Sequence, residues 1–184
     1  MTIPYKEAII PFLDEVDPVA RKIGAVNTIK VEGDKWVGYN TDAFGFHQSI
    51  KPFLTNKHER AIVFGTGGAS KAICYILDKI GVDIIQISRS PSEGQFAYDE
   101  VNEIMVSNCK LIVNTTPVGM FPNINDCIDM PFNALSEEHL VVDLIYNPEK
   151  TMLLRKAEAK GSAILNGASM LKEQALSAYK IWNE

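Results

Sequence analysis

The sequence is poor in cysteine, and its cysteines form no recognisable pattern. Cys74, Cys109 and Cys127 are far apart, and no C-x-x-C pair is present. Neither a zinc ribbon nor a disulfide framework is therefore indicated. Cys74 stands among apolar neighbours, which is typical of a small buried core residue. The three histidines also lack the spacing of metal ligands, so we expect no metal site.

An excess of basic charge and a long hydrophobic run are absent as well. The 18 Lys and Arg residues are outnumbered by 23 Asp and Glu residues, so nucleic acid is not an expected partner. The longest apolar runs, such as residues 61–64, have the length of a strand and fall far short of the ~20 residues that cross a bilayer. The first six residues show no signal-peptide core. We expect a cytoplasmic protein without a membrane partner.

Residues before about 60 predict short elements. Apolar residues on one face after Pro4 predict a first helix, Asp17-Pro18 opens a second, and Gly24 ends it. Strand-like residues 25–32 and 35–40 are separated by a two-residue turn, which indicates a hairpin. A third helix is expected to begin at Thr41 or Asp42, with one of these side chains as its cap.

From residue 60 onward, strand and helix patterns alternate. The predicted strands cover residues 60–64, 82–87, 110–114, 139–144 and 162–165, and the predicted helices cover 69–79, 98–106, 150–159 and 170–182. This alternation predicts an α/β fold with a Rossmann-type, doubly wound parallel sheet. In such a sheet the ligand lies at the carboxyl ends of the strands.

A glycine-rich loop, Gly65-Thr-Gly-Gly-Ala-Ser-Lys-Ala72, follows the first of these strands and opens a helix. Glycines allow the backbone to approach a pyrophosphate, and the helix N-terminus offers free N–H groups. The third glycine of the usual motif is replaced by Ala69 and Ser70. The alternative is a structural turn, but the strand–turn–helix context favours nucleotide binding.

The next predicted strand ends in Ser88-Arg89-Ser90 and carries no acidic residue there. An enzyme that uses NAD has an Asp or Glu near this position, which binds the ribose 2′-hydroxyl. Arginine and two hydroxyl groups suit the 2′-phosphate of NADP instead. The alternative interpretation is an exposed arginine at a strand end.

Lys6 and Asp42 allow two interpretations from chemistry alone. Each is a candidate functional group, but a lysine near a helix start is usually solvated and an aspartate after Asn40-Thr41 is usually a cap. The residues themselves leave this choice open.

Seven stretches, in order along the whole chain, resemble the shikimate dehydrogenase family. They are Thr2-Ile-Pro-Tyr-Lys6, Gly24-Ala-Val-Asn-Thr28, Gly38-Tyr-Asn-Thr-Asp42 with Gly45-Phe46, the glycine-rich loop, Asn114-Thr-Thr-Pro-Val-Gly-Met120, Asp143-Leu-Ile-Tyr-Asn-Pro148, and Asn166-Gly-Ala-Ser-Met-Leu-Lys-Glu-Gln174. Their joint order and spacing are specific, whereas any single stretch could arise by chance.

The resemblance implies an NADP-dependent oxidoreductase of chorismate and aromatic amino-acid biosynthesis, which reversibly reduces 3-dehydroshikimate to shikimate. The implied catalytic pair is Lys6 and Asp42. The implied substrate contacts are Thr2, Asn27, Tyr146 and Gln174. The implied cofactor contacts are Gly65, Gly67, Gly68, Ala69, Ser88, Arg89, Ser90, Thr115, Thr116, Leu144 and Gly167.

The resemblance also implies a division of the chain. Residues 1–45 correspond to a remnant of the substrate-binding domain, 46–166 to the NADP-binding domain with its linker helix, and 167–184 to a C-terminal helix that returns toward the substrate domain. The family's substrate domain begins well before Thr2 and carries two serines that bind the substrate carboxylate. We therefore expect a truncated chain or a misassigned start.

Two consequences follow from this expectation. We expect the chain to bind NADP(H) without measurable turnover, and to self-associate through the hairpin edge and the apolar face of Ile9, Phe12 and Leu13. The alternatives are a nucleotide-binding module without turnover and a quinate/shikimate dehydrogenase that uses NAD. Ser88-Arg89-Ser90 argues against the latter.

Overall fold

The computed structural model describes residues 5–184, which form two sheets and the helices that pack on them. The strands are β1 (Glu15–Val16), β2 (Thr28–Glu32), β3 (Lys35–Tyr39), β4 (Arg60–Phe64), β5 (Asp83–Ile87), β6 (Gln95–Phe96), β7 (Leu111–Asn114), β8 (Leu140–Asp143) and β9 (Ala163–Leu165). The α-helices are α1 (Pro18–Ile23), α2 (Asp42–Ile50), α3 (Gly68–Lys79), α4 (Glu103–Asn108), α5 (Met152–Glu158) and α6 (Ala168–Asn183).

The larger sheet is parallel throughout, with the strand order β6-β5-β4-β7-β8-β9. Side chains alternate between the two faces of each strand, and helices cover both faces, so both are buried. On β4, Ala61 and Val63 join the core under α2 and α3, whereas Ile62 and Phe64 join the core under α5. This arrangement confirms the predicted α/β fold with a parallel sheet.

The smaller sheet has the order β1-β3-β2, in which β2 and β3 form the predicted hairpin. The preceding helix α1 also begins and ends as predicted. The Asp17 carboxylate accepts hydrogen bonds from the N–H groups of Val19 at 2.9 Å and Ala20 at 3.2 Å. Gly24 ends α1 with a φ of 72°, a left-handed conformation that glycine adopts without strain.

The prediction that the Thr41 or Asp42 side chain caps α2 is wrong. Thr41 stands at the cap position, yet neither its hydroxyl nor the Asp42 carboxylate caps the helix. Asn40 does so, because its side-chain oxygen accepts a hydrogen bond from the Ala43 N–H at 3.2 Å. The Thr41 hydroxyl and the Asp42 carboxylate instead accept hydrogen bonds from the side-chain nitrogen of Asn27, on the hairpin side.

Two other expected helices differ in the structure. Pro4 lies outside the described residues, and the residues after it form turns and a 3-10 helix at Ile10–Phe12. The helix expected over 98–106 is divided into a 3-10 helix, Tyr98–Glu100, and α4. The division occurs because the Asn102 side chain accepts the Met105 N–H at 3.0 Å and so begins a new helix.

Helix α2 links the two sheets and runs across the expected boundary at residues 45/46. It packs closely on α6, since a Cβ added at Gly45 would lie 2.7 Å from the Met170 carbonyl oxygen. The division into three parts stays a prediction. Within residues 5–184, no helix combines the length and the apolar character needed to cross a membrane.

Candidate active-site cleft

A cleft of about 400 Å³ lies where the carboxyl ends of the parallel strands face the hairpin side of the molecule. The loops that follow β4, β7, β8 and β9 all contribute to it, as expected for a sheet of this kind. The predicted residues that line it are Lys6, Asp42, Ala69, Thr115, Thr116, Leu144, Tyr146, Gly167 and Gln174. The fold therefore brings together residues that lie up to 168 positions apart in the sequence.

An ion pair between Lys6 and Asp42 forms one wall of the cleft. The Lys6 Nζ lies 2.5 Å from Asp42 Oδ2, and the two side chains are 13% and 2% exposed. A pair this enclosed is rare on a protein surface, because each charge has lost most of its water. Because Lys6 lines the cleft, a bound molecule can reach its side chain.

Asn27 holds Asp42 from the side opposite Lys6. Its side-chain nitrogen donates to Asp42 Oδ1 at 2.9 Å, and its side-chain oxygen accepts the Thr41 N–H at 2.8 Å. Gln174 Oε1 lies 3.4 Å from the same Asn27 nitrogen. The Asn27 side chain thus holds both the start of α2 and the orientation of the Asp42 carboxylate.

The glycine-rich loop is built for close backbone contact. Gly65 has a φ of 108°, and a Cβ there would lie 2.5 Å from Thr115 Oγ1, so no other residue fits without strain. The loop also touches the Lys6 segment, since a Cβ at Gly68 would lie 3.0 Å from the Lys6 Cβ. At Gly67 the same test meets no atom within 4 Å. The N-terminus of α3 is therefore open to a ligand at Gly67.

Two residues that the sequence analysis left without a role, Asn114 and Asp143, position the cleft loops. Asn114 Nδ2 donates to Asp143 Oδ1 at 3.0 Å, and Asn114 Oδ1 accepts the Thr116 N–H at 2.9 Å. Asp143 also accepts from Ile145 N–H at 3.1 Å and from Thr151 Oγ1 at 2.6 Å. A polar residue at the end of each of two buried strands was the signal that could have identified this pair.

Burial raises the pKa of the Asp143 carboxyl to about 6, although hydrogen bonds from Thr151, Ile145 and Asn114 oppose that shift. The folded state thus binds this proton more tightly than the unfolded state does. Its stabilising contribution is complete below the ordinary pKa near 3.8 and is lost as the pH rises through about 6.

We therefore expect Asp143→Asn to change how stability depends on pH. Relative to the unsubstituted protein, the variant should gain about 2 kcal/mol of unfolding free energy between pH 4 and pH 7, because most of the shift from 3.8 to about 6 falls in this window. Urea unfolding at several pH values measures this difference, and any constant cost of the new amide cancels in it. Asp34→Asn, in the exposed hairpin turn, is the control. Parallel pH profiles for wild type and Asp143→Asn would contradict the prediction.

A second recess, of about 480 Å³, contains Ser88 and Arg89 at the end of β5. Ser88 is buried and accepts the Ser90 N–H at 3.2 Å, while Arg89 is exposed. This recess is separate from the cleft, as expected if one extended ligand spans the sheet edge from β5 to β9. The assignment of Ser88, Arg89 and Ser90 to a 2′-phosphate stays a prediction.

The remaining predicted contacts fall into two groups. Gly65, Gly67 and Gly68 lie in the loop beside Ala69, and Asn27 lies behind Asp42, so these four do not themselves line the cleft. Thr2 lies outside the described residues. The roles predicted for all these residues stay predictions.

Comparison with known proteins gives the family context of this arrangement. Residues 1–29 match the family model for the shikimate dehydrogenase substrate binding domain. The shikimate dehydrogenase (NADP(+)) of Aquifex aeolicus is 40% identical over 191 residues, which cover 100% of this chain and 70% of the relative. Its crystal structure superimposes with a TM-score of 0.88, at 39% identity, over 99% of this chain and 70% of the other.

Two further crystal structures contain bound molecules. The Thermus thermophilus shikimate 5-dehydrogenase, in complex with NADP(H) and shikimate, is 34% identical with a TM-score of 0.86, over 98% of this chain and 70% of the other. The Listeria monocytogenes enzyme, in complex with shikimate and NAD, is 27% identical with a TM-score of 0.84, over 99% and 71%. The fold and identities of up to 40% over about 70% of each relative together show that the chain belongs to the shikimate dehydrogenase family.

Proposed function

We propose that the chain serves NADP-dependent shikimate dehydrogenation, the reversible reduction of 3-dehydroshikimate to shikimate. The observation that carries the proposal is the Lys6–Asp42 ion pair, which is enclosed at the wall of a cleft beside the glycine-rich loop. The relatives, which are shikimate dehydrogenases (NADP(+)), support the same reaction. No metal is required for this chemistry.

The chemistry of ketone reduction explains why a lysine and a carboxylate stand together. Negative charge develops on the carbonyl oxygen, and a proton must reach it. Protonated Lys6 provides a positive charge and a donor, and Asp42 holds its ammonium group in place at 2.5 Å. Tyr146 and Gln174 line the same cleft with neutral hydrogen-bonding groups, which suit a ring that carries several hydroxyl groups.

The residues of the nucleotide half fit a dinucleotide. The open space at Gly67 allows a pyrophosphate to reach the N-terminus of α3, and Thr115 and Gly167 line the cleft beyond it. NADP(H) supplies the hydride when it is bound. In this proposal Arg89 binds the 2′-phosphate, between Ser88 and Ser90.

A titration tests the cofactor assignment. We expect Arg89→Ala to weaken NADPH binding by about ten- to a hundredfold, because a hydrogen bond to a charged group contributes roughly 1.5–3 kcal/mol. NADH binding should change little, since NADH has no phosphate at that position. Intrinsic or NADPH fluorescence measures both dissociation constants. Equal losses for the two dinucleotides, or no loss for NADPH, would place the phosphate elsewhere.

Two finer expectations stay predictions. The first is that these 184 residues bind NADP(H) without measurable turnover, which an assay of shikimate-dependent NADP reduction at high protein concentration decides. The second is self-association through the hairpin side. It is supported by the edge position of β2 and by exposed Phe12, Val31 and Trp36. Ile9 and Leu13, expected on the same exposed face, are half-buried.

A further inference from the structure

We propose that Asp99 and Asp129 act against Arg89 in the recess at the end of β5, so that the chain accepts NADH as well as NADPH with only a moderate preference between them. The inference rests on the proposed function, because it concerns the ribose end of the same dinucleotide. It assigns specificity to two residues that the glycine-rich loop and the Ser88-Arg89-Ser90 triplet do not include. Both residues line the recess that contains Ser88 and Arg89.

Asp99 is placed at the recess by the short strand β6, which precedes it. The Phe96 carbonyl accepts the Ser88 N–H at 2.9 Å, which fixes β6 next to the end of β5. The Tyr98 ring then packs on Phe64, with ring centroids 5.7 Å apart. Burial raises the pKa of the Tyr98 hydroxyl, and the positive charge of Arg89 opposes that shift. Asp99 therefore directly follows Tyr98, which packs on the sheet and interacts electrostatically with Arg89.

Asp129 also lines the recess. It belongs to the segment after β7, where Ile128 is buried and half-buried Cys127 also lines the recess. Arg89, Asp99 and Asp129 are all exposed, so each charge acts through partly screened space.

The balance of charge in the recess is what limits the preference. One guanidinium and two carboxylates give the recess a net charge of −1 from these three residues. A 2′-phosphate carries about −1.5 to −2 at pH 7, so Arg89 attracts it while the two carboxylates repel it. The 2′-hydroxyl of NADH is neutral, and a carboxylate can accept a hydrogen bond from it. Removing a carboxylate should thus favour NADPH, and removing Arg89 should reverse the preference.

The test is a set of NADPH and NADH titrations on the 184-residue chain. We expect Asp99→Asn and Asp129→Asn each to raise the ratio of NADPH affinity to NADH affinity by about two- to fivefold, the range for exposed charge pairs. Arg89→Ala should make NADH the tighter ligand, and Arg89→Ala with both asparagine substitutions should bring the two affinities together. Asp126→Asn, an exposed substitution outside the recess, is the matched control and should leave the ratio unchanged.

The outcomes separate this inference from the proposed function. Binding of both dinucleotides with a ratio that Asp99→Asn and Asp129→Asn leave within the range of Asp126→Asn would overturn the inference and leave NADP binding intact. Equal affinities in Arg89→Ala alone would overturn it too. If neither dinucleotide binds to the wild-type chain or to any variant, the proposed function fails and the inference fails with it.

Discussion

Replacing Lys6 by alanine is expected to lower the rate of shikimate-dependent NADP reduction by roughly two to four orders of magnitude, the usual contribution of a general acid. The reason is the position of its ammonium group, 2.5 Å from Asp42 and at the wall of the cleft. The measurement is the initial rate of NADPH formation. It is made on the 184-residue chain if that chain has a measurable rate, and otherwise on a full-length version of the protein. NADPH affinity should stay close to that of the wild type.

Loss of folding must be separated from loss of chemistry in this experiment. Lys6→Ala leaves Asp42, which is 2% exposed, without its cation, and breaking such a pair costs roughly 3–5 kcal/mol of stability. Lys6→Gln retains a donor for the carboxylate but cannot act as an acid, so it should be more stable than Lys6→Ala and equally slow. Lys35→Ala removes an exposed, ion-paired lysine far from the cleft and is the matched control. Near-normal turnover of Lys6→Gln would refute the assignment.

The parts of the fold that local sequence determines agree with the prediction. The strand, glycine-rich loop and helix at residues 60–79 depend on neighbouring residues, and so do the Asp17 cap and Gly24 at the ends of α1. The α/β alternation fixes which strand ends face the same edge, and that edge contains the cleft. The alternation thus predicted the edge of the sheet, whereas the individual cleft residues were named through the family resemblance.

The errors occur where a side chain has a distant partner. The residues around Asp42 allowed a helix cap as well as a functional group, and only the family resemblance paired it with Lys6, 36 residues earlier. Asn114 and Asp143 pair across 29 residues between adjacent strands, and only the register of β7 and β8 places them together. The spacing of apolar residues predicts a helix or a strand, but it does not show which polar groups the sheet brings into contact.

The predicted roles of two glycines, Gly67 and Gly167, are expected to separate in a pair of matched substitutions. Both have negative φ values, −77° and −73°, so alanine is conformationally allowed at each. Their surroundings differ, since a Cβ at Gly67 meets no atom within 4 Å, whereas a Cβ at Gly167 would lie 2.0 Å from the Leu144 carbonyl oxygen. Backbone atoms cannot rotate away as a side chain can.

Gly167→Ala should therefore destabilise the fold by about 3 kcal/mol or more, the upper part of the range for overpacking, as the start of α6 is forced away from the end of β8. That loss corresponds to a decrease of about 6–12 °C in the melting temperature of a chain of this size.

Gly67→Ala should change stability by less than about 1 kcal/mol, because a small gain from the unfolded state offsets a weaker helix cap. Its methyl group would instead occupy the space through which a pyrophosphate approaches α3, so NADPH binding should weaken. Calorimetry and NADPH titration on the two variants measure both effects. A Gly67→Ala chain that binds NADPH as tightly as the wild type would show that the pyrophosphate does not contact this turn, and a Gly167→Ala chain with an unchanged melting temperature would show that α6 can move away from Leu144 without cost.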